Sequence, residues 1–366
     1  MNARVLMVIA EMGAGGAEAV VRELALDAVR RHDEVTVASS GGWRTDELRS
    51  EGVRVLPVGL RGRSVLDLSR SALTLASELR SRPPAVVHAH NVKAAVVSRL
   101  GAIALRHRPP IVVTLHGVAD DRYRWTARAL GRCADRVVAV SPHVAERIIG
   151  AGLPAERVDV IENAVCAPPG HDRTEARTRL ALPHDAVIVL CIARLVPQKR
   201  HDLLIAACKH LPAHAVILLV GEGETRPSLE AAIAGAGLGD RVRLLGERRD
   251  VDWLLAAADV SVLPTRWEGL PISVLEGMAA GVPVVATAVS GLAESLDGAV
   301  EFVARDSAIA LAEGINRVLG DEQHRGALVA RAQLLIDGRF GWSRMLARYE
   351  DVYGQVVEGT YVEPAT

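Results

Sequence analysis

Short runs of β-branched and aliphatic residues alternate with longer helical stretches along all 366 residues, and the alternation starts twice. The first series of strand-like runs is Arg4–Ala10, Glu34–Ser39, Val53–Val58, Ala85–Ala89, Ile111–Leu115, Arg136–Val140 and Val158–Ile161. Helix-like stretches such as Ala17–Arg31, Val65–Arg80 and Val92–Arg106 separate them. Apolar strands spaced by helices predict a parallel sheet covered on both faces. A Pro/Gly stretch, Ala167–Asp172, then reads as a linker. A second series follows: Ala186–Ile192, Ala215–Val220, Val242–Leu245, Val260–Leu263, Pro283–Thr287 and Ala299–Val303. The expected architecture is α/β, with two Rossmann-like doubly wound domains facing each other across a cleft. The boundaries predicted are 1–168 and 169–341. A last helix and tail, 342–366, have no strand to serve, and the helix is expected to pack back across the domain junction.

Composition narrows what such a chain does. Hydrophobic residues make up 49% and charged residues 24%, so disorder is excluded. Aromatics are 3%, too few for a stacking wall, and no nucleic-acid partner is expected. The net charge of −1 hides an asymmetry: residues 60–108 carry nine basic and two acidic side chains. Four cysteines, Cys133, Cys166, Cys191 and Cys208, form no C-x-x-C pair, which fits a reducing cytoplasm. The opening run Val5–Ala10 is too short for a signal-peptide core, and no 18-residue apolar run exists.

Candidate chemistry gathers after the strands, where open α/β sheets bind ligands. The turn Gly13-Ala14-Gly15-Gly16-Ala17-Glu18 can bring backbone N–H groups and a helix N-terminus to a phosphate. Glu18 stands where a dinucleotide fingerprint needs Gly or Ala, and Ala38-Ser39-Ser40 lacks the acidic ribose partner, so NAD is disfavoured. Arg194 and Lys199 follow a buried strand, placed to clamp a diphosphate. Glu268 lies in a Gly/Pro loop and Glu276 in the next helix, each able to bind sugar or ribose hydroxyls. His116 ends another strand. His88 and His90 are expected on opposite faces of their strand, unable to share a metal. Asp250-Val251-Asp252 spells D-x-D, and a helix-capping aspartate is the expected role. No cluster has metal-ligand spacing, so no metal is expected.

Taken together, these segments resemble the retaining GT-B glycosyltransferases, glycosyltransferase family 4. The likeness runs along most of the chain. It rests on Gly15–Glu18, His88–His90, Thr114–Gly117, Ala139–Ser141, Val160–Asn163, Arg194–Lys199, Val220–Gly223, the E-x7-E block and Ala280–Thr287. Ala164 and Ala85 depart from it, standing where the family usually has Gly and Asp. The resemblance implies a nucleotide-sugar donor, with no cofactor and no metal. Its diphosphate would be held by Arg194, Lys199 and the N–H groups of Gly15, Gly16, Gly269 and Leu270. Glu276 would hold the ribose, Glu268 the transferred sugar, and His116 would lie beside its anomeric carbon. The base would stack around Glu247–Val251. The N-terminal domain would take an acceptor that the sequence does not name.

Two alternatives share the diphosphate clamp: a sugar-nucleotide epimerase or hydrolase, and a non-catalytic nucleotide-sugar binder. One surface adds a further expectation. Val65, Leu66, Leu68, Ala72, Leu73, Leu75, Ala76 and Leu79 form an apolar helix face rimmed by Arg61, Arg63, Arg70, Arg80 and Arg82. Such a helix ordinarily packs on its own sheet. The alternative is a weak, reversible contact of the rim with anionic lipid at the inner face of a membrane.

Overall fold

The computed structural model describes residues 4–62 and 64–359. Arg63 of the basic rim and the tail 360–366 lie outside the described residues. The chain divides into two compact units: residues up to Asn163 together with those from Ser343 onward, and Ala164–Trp342.

In the first unit the elements are β1 (Arg4–Val8), α1 (Gly16–Arg30), β2 (Glu34–Ser39), α2 (Arg44–Ser50), β3 (Arg54–Pro57), α3 (Val65–Ser81), β4 (Val86–Ala89), α4 (Val92–Ala102), β5 (Ile111–Leu115), α5 (Tyr123–Cys133), β6 (Arg136–Ala139), α6 (Pro142–Gly150) and β7 (Val158–Val160). The strands form one sheet in the order β3-β2-β1-β4-β5-β6-β7, and every pairing is parallel. Ile111–Leu115 is buried along its whole length, as a central strand covered on both faces must be. Side chains that cap helices mark their starts: Ser64 accepts from Asp67 N, Asn91 from Ala94 N and Ser141 from Val144 N.

The second unit holds α7 (Arg173–Arg179), β8 (Val187–Ile192), α8 (His201–Ala207), β9 (Ala215–Val220), α9 (Arg226–Gly235), β10 (Val242–Gly246), α10 (Val251–Ala257), β11 (Val260–Leu263), α11 (Ile272–Ala279), β12 (Val284–Thr287), α12 (Leu292–Ser295), β13 (Glu301–Val303), α13 (Ala308–Gly320) and α14 (Glu322–Gly338). Its sheet runs β10-β9-β8-β11-β12-β13, again parallel. The unit begins at Ala164 because Val165 N donates to Phe340 O at 2.9 Å and Val165 bridges Gly341. Those bonds tie the segment before the expected linker to the second unit.

The last helix, α15 (Trp342–Val357), returns to the first unit from Ser343 onward. Met345, Tyr349, Val352 and Val356 make its buried stripe at helical spacing. Polar contacts fix it there: Gln355 with Arg136, Glu350 with Arg31, and two tyrosines with residues of β4 and β5.

In each sheet the strand order reverses once, between β1 and β4 and between β8 and β11. Loops leaving the carboxyl ends of those strands splay apart and open a crevice. The sequence-expected residues lie in such loops, apart from Gly16 at the start of α1, Glu276 in α11 and His116 just past β5, the neighbour of β4.

Candidate functional site

In the second unit the loop after β8 carries Arg194 and Lys199, and the loop after β11 carries Glu268, Gly269 and Leu270. Arg266 N donates to Gln198 O at 2.9 Å, which ties the two loops together. Lys199 Nζ lies 2.5 Å from Glu268 Oε1, in a pair whose side chains are 12% and 10% exposed. The same carboxylate oxygen accepts from Thr265 Oγ1 at 2.8 Å and from Gln198 Nε2 at 3.3 Å. Thr287 Oγ1 in turn donates to Thr265 O at 2.5 Å. Glu268 is therefore held by a lysine, a hydroxyl and an amide. Arg194 is exposed, and its guanidinium has no partner among the described residues. Glu276 is half-buried in the second turn of α11, a helix that starts at Pro271 without a side-chain cap.

Two glycines let the Arg194 loop sit where it does. Leu195 N donates to Glu222 O at 2.9 Å and Thr225 N to Leu195 O at 3.0 Å, so the loop after β9 braces it. Gly221 has φ +140°, and a Cβ there would fall 2.9 Å from the carbonyl carbon of Ala193. At Gly223 a Cβ would fall 2.6 Å from the carbonyl carbon of Leu195 and closer still to its oxygen. Only glycine allows this approach on either side of Arg194.

The D-x-D aspartates differ from expectation. Asp250 is the N-cap residue of α10, but its side chain caps nothing. Arg248 takes both its oxygens, at 2.8 and 2.6 Å, and holds its carboxyl below the usual range. Asp252 pairs with His171 at 2.7 Å. That histidine stacks on Trp253 with centroids 3.7 Å apart, and Arg179 lies over the same indole. Sequence reading placed His171 in a linker and missed this stack.

In the first unit Gly15 is the N-cap of α1 and Gly16 its first residue. A Cβ on Gly15 would come 2.7 Å from Glu18 Cδ, so the Glu18 carboxylate folds back over the turn. Arg44 Nε donates to Gly13 O at 2.8 Å and braces it from α2.

The histidines correct one expectation. Residues i and i+2 of a strand share a face. His88 and His90 accordingly lie together, with ring centroids 3.9 Å apart. His88 is fully engaged: Nδ1 with Tyr353 OH at 2.6 Å and Nε2 with Thr114 Oγ1 at 2.7 Å. Tyr349 OH reaches the same threonine at 2.9 Å. His116 sits 6.1 Å from His90, centroid to centroid, and is half-buried. Burial pushes the imidazoles down, His88 to about 3, His116 to about 4 and His90 well below the ordinary value, so all three are neutral at pH 7. Among the described residues no three His, Cys, Asp or Glu side chains are arranged to hold a metal ion.

Two parallel doubly wound sheets, each with candidate residues on loops about its point of reversal, define a protein of the GT-B fold. Solved structures agree: Anabaena HepE, determined in complex with UDP-glucose, superposes with a TM-score of 0.84 at 24% identity, over 96% of this chain and 100% of that one. The chain belongs to the family 4 type of glycosyltransferases. The pattern of Glycosyltransferase Family 4 matches residues 14–167, and that of Glycosyl transferases group 1 matches 172–334. Among relatives, a D-inositol 3-phosphate glycosyltransferase of Xylanimonas cellulosilytica is 33% identical over 62% of this chain and 58% of its own length. The Escherichia coli UDP-Gal:alpha-D-GlcNAc-diphosphoundecaprenol alpha-1,3-galactosyltransferase is 26% identical over 70% of this chain and 71% of its own. The match thus spans less than two thirds of the first of these relatives.

Proposed function

We propose that this chain transfers a sugar from a nucleotide-diphosphate sugar to an acceptor, with retention at the anomeric carbon and without a metal ion. The Lys199–Glu268 pair beside the unpaired Arg194, at the reversal point of the second sheet, carries this reading. The leaving group is a diphosphate, and its growing charge needs fixed cations. Lys199 and Arg194 supply them, with the N–H groups of Gly269 and Leu270 at the start of α11. Glu276 takes the ribose diol and Glu268 the hydroxyls of the transferred sugar. Because Lys199 binds Glu268, one contact fixes the sugar-binding carboxylate and the diphosphate-binding cation together. In the first unit Gly15 and Gly16 offer N–H groups, once Glu18 swings aside, and His116 serves the transferred sugar. The D-x-D carboxylates are committed to Arg248 and His171, which supports metal independence. The donors named for the Anabaena and E. coli proteins favour UDP as the nucleotide.

Thermal shift against a panel of UDP- and GDP-sugars tests the donor, since a ligand at 100 times its Kd adds about 2.7 kcal/mol. Product NMR then reads the anomeric configuration. An α-linked product from an α-linked donor, formed in EDTA, is expected. An inverted product, turnover only with added Mn²⁺ or Mg²⁺, or donor consumption with no glycoside formed overturns the reading. The last of these outcomes is the signature of an epimerase or hydrolase.

One surface supports a membrane-facing role. On α3, Leu75 and Leu79 are buried, but Val65, Leu66 and Leu73 are 78%, 69% and 71% exposed. The helix therefore packs with only part of its apolar face. Ile103, just past α4, and Trp125 on α5 are also exposed, among exposed Arg70, Arg106, Arg108, Arg124 and Arg128. No described helix is long and apolar enough to cross a membrane. Contact with anionic lipid would be peripheral, each cation adding about 1 kcal/mol near the surface.

A further inference from the structure

His90 is placed at the first sheet's point of reversal. Its backbone N–H donates to Val8 O at 2.9 Å, which extends the β1–β4 ladder to the edge where the glycine turn begins. The side chain is 2% exposed, and neither ring nitrogen has a hydrogen-bond partner. His116 adds a buried Nε2 that is also unpartnered. His88 differs sharply, with both nitrogens bonded and its ring forming the floor beneath His90. A phenyl ring would fill the His90 site without stranding two polar atoms away from water.

We propose that His90 contacts the acceptor and binds a hydroxyl of a neutral polyol or sugar, next to His116, which stays with the transferred sugar. A neutral imidazole offers one donor and one acceptor, which matches a hydroxyl group. A phosphate is all acceptor and calls for cations. Two cations of the same unit are already engaged: Lys93 Nζ donates to Leu60 O and Gly62 O, both at 2.9 Å, and Arg44 Nε to Gly13 O. His88 is the positioning residue. Tyr353 and Thr114 lock its ring, and its ring sets the height of the His90 imidazole. The assignment rests on the transfer reaction proposed above.

UDP release from UDP-glucose by the full chain tests it, with water alone and with myo-inositol, glucose or N-acetylglucosamine added, and inorganic phosphate as the charged control. In wild type at least one of the three polyols speeds release and phosphate does not. His90→Phe keeps release to water within twofold and lowers the polyol stimulation about tenfold, the worth of 1.4 kcal/mol. His90→Asn, which keeps a donor and an acceptor, recovers part of it. A purely structural histidine would lower both rates together or neither, and either result overturns the assignment. So does stimulation by phosphate alone, or by none of the polyols. Loss of the parent reading looks different: no UDP-glucose binding and no UDP release by wild type.

Discussion

Replacing Gly223 by Ala is the sharpest probe of how the second unit holds Arg194. The backbone angle at Gly223 is ordinary, so the effect is steric. The new Cβ would sit 2.6 Å from the Leu195 carbonyl carbon. Carbon atoms rest about 3.5 Å apart, so the loop must retreat by about 1 Å. That movement breaks Leu195 N–Glu222 O and Thr225 N–Leu195 O, now 2.9 and 3.0 Å. At about 1 kcal/mol per bond, with overpacking added, the cost is about 2–4 kcal/mol. Arg194 moves with Leu195, so UDP affinity falls at least about tenfold, one lost charge-assisted contact. Urea denaturation followed by circular dichroism measures the first effect, and calorimetric titration with UDP the second. A variant that unfolds at the wild-type midpoint would refute the bracing. A destabilised variant that binds UDP within twofold of wild type would show that the brace does not position Arg194.

Lys199→Ala and Arg194→Ala should each cost about 2–4 kcal/mol of transition-state stabilisation, and activity within threefold of wild type for both would remove the clamp. Because Lys199→Ala strands a buried carboxylate, adding Glu268→Gln should restore its melting temperature but not its turnover. Acid should cost the first unit, with three histidines lowered by burial, more than the second, which holds one such histidine, His201, lowered by burial to about 4. Burial lowers the folded-state values of His88, His90 and His116 below 6.5, so the unfolded chain protonates first. Their contribution is intact above pH 6.5 and is lost as pH falls, down to about 4 for His116 and about 3 for His88, at about 1.4 kcal/mol per pH unit per histidine. Urea midpoints that stay flat between about pH 7 and pH 5 would contradict this. Co-sedimentation with anionic vesicles at low salt should weaken in Leu66→Glu and Leu73→Glu; equal recovery with neutral vesicles would leave the arginines as a solvated face.

Each strand-like run in the sequence coincides with one of the thirteen strands among the described residues, β10 running one residue further, to Gly246. Central parallel strands are buried on both faces, so Ile111–Leu115 or Ala215–Val220 can hardly read as anything else. The pair Lys199–Glu268 was legible as two residues on two post-strand loops, but not as one contact. The link between them runs through Thr265, Gln198 and Thr287, ordinary polar residues with no motif of their own. Asp250 stands at a helix start, as its position implied. Arg248, two residues away, decides what its carboxylate does. The exposure of Leu66 and Leu73 was hidden because helical spacing names a face without saying what covers it. His88 and His90 needed only the strand period to be placed together. The tyrosines bonded to His88 and Thr114 come from α15, too far along the chain for any local pattern to reveal.

That distance has a consequence during synthesis. The first unit lacks its final helix until the whole second unit has left the ribosome. At about 5–20 residues per second the wait is about ten to forty seconds. Through that interval the site that α15 covers stays open, and His88 and Thr114 lack the hydroxyls of Tyr353 and Tyr349. A nascent chain released near Asn163 would present a full sheet without α15 to chaperones and proteases. α15 thus completes, only after the second unit is made, a packing that β4 and β5 begin.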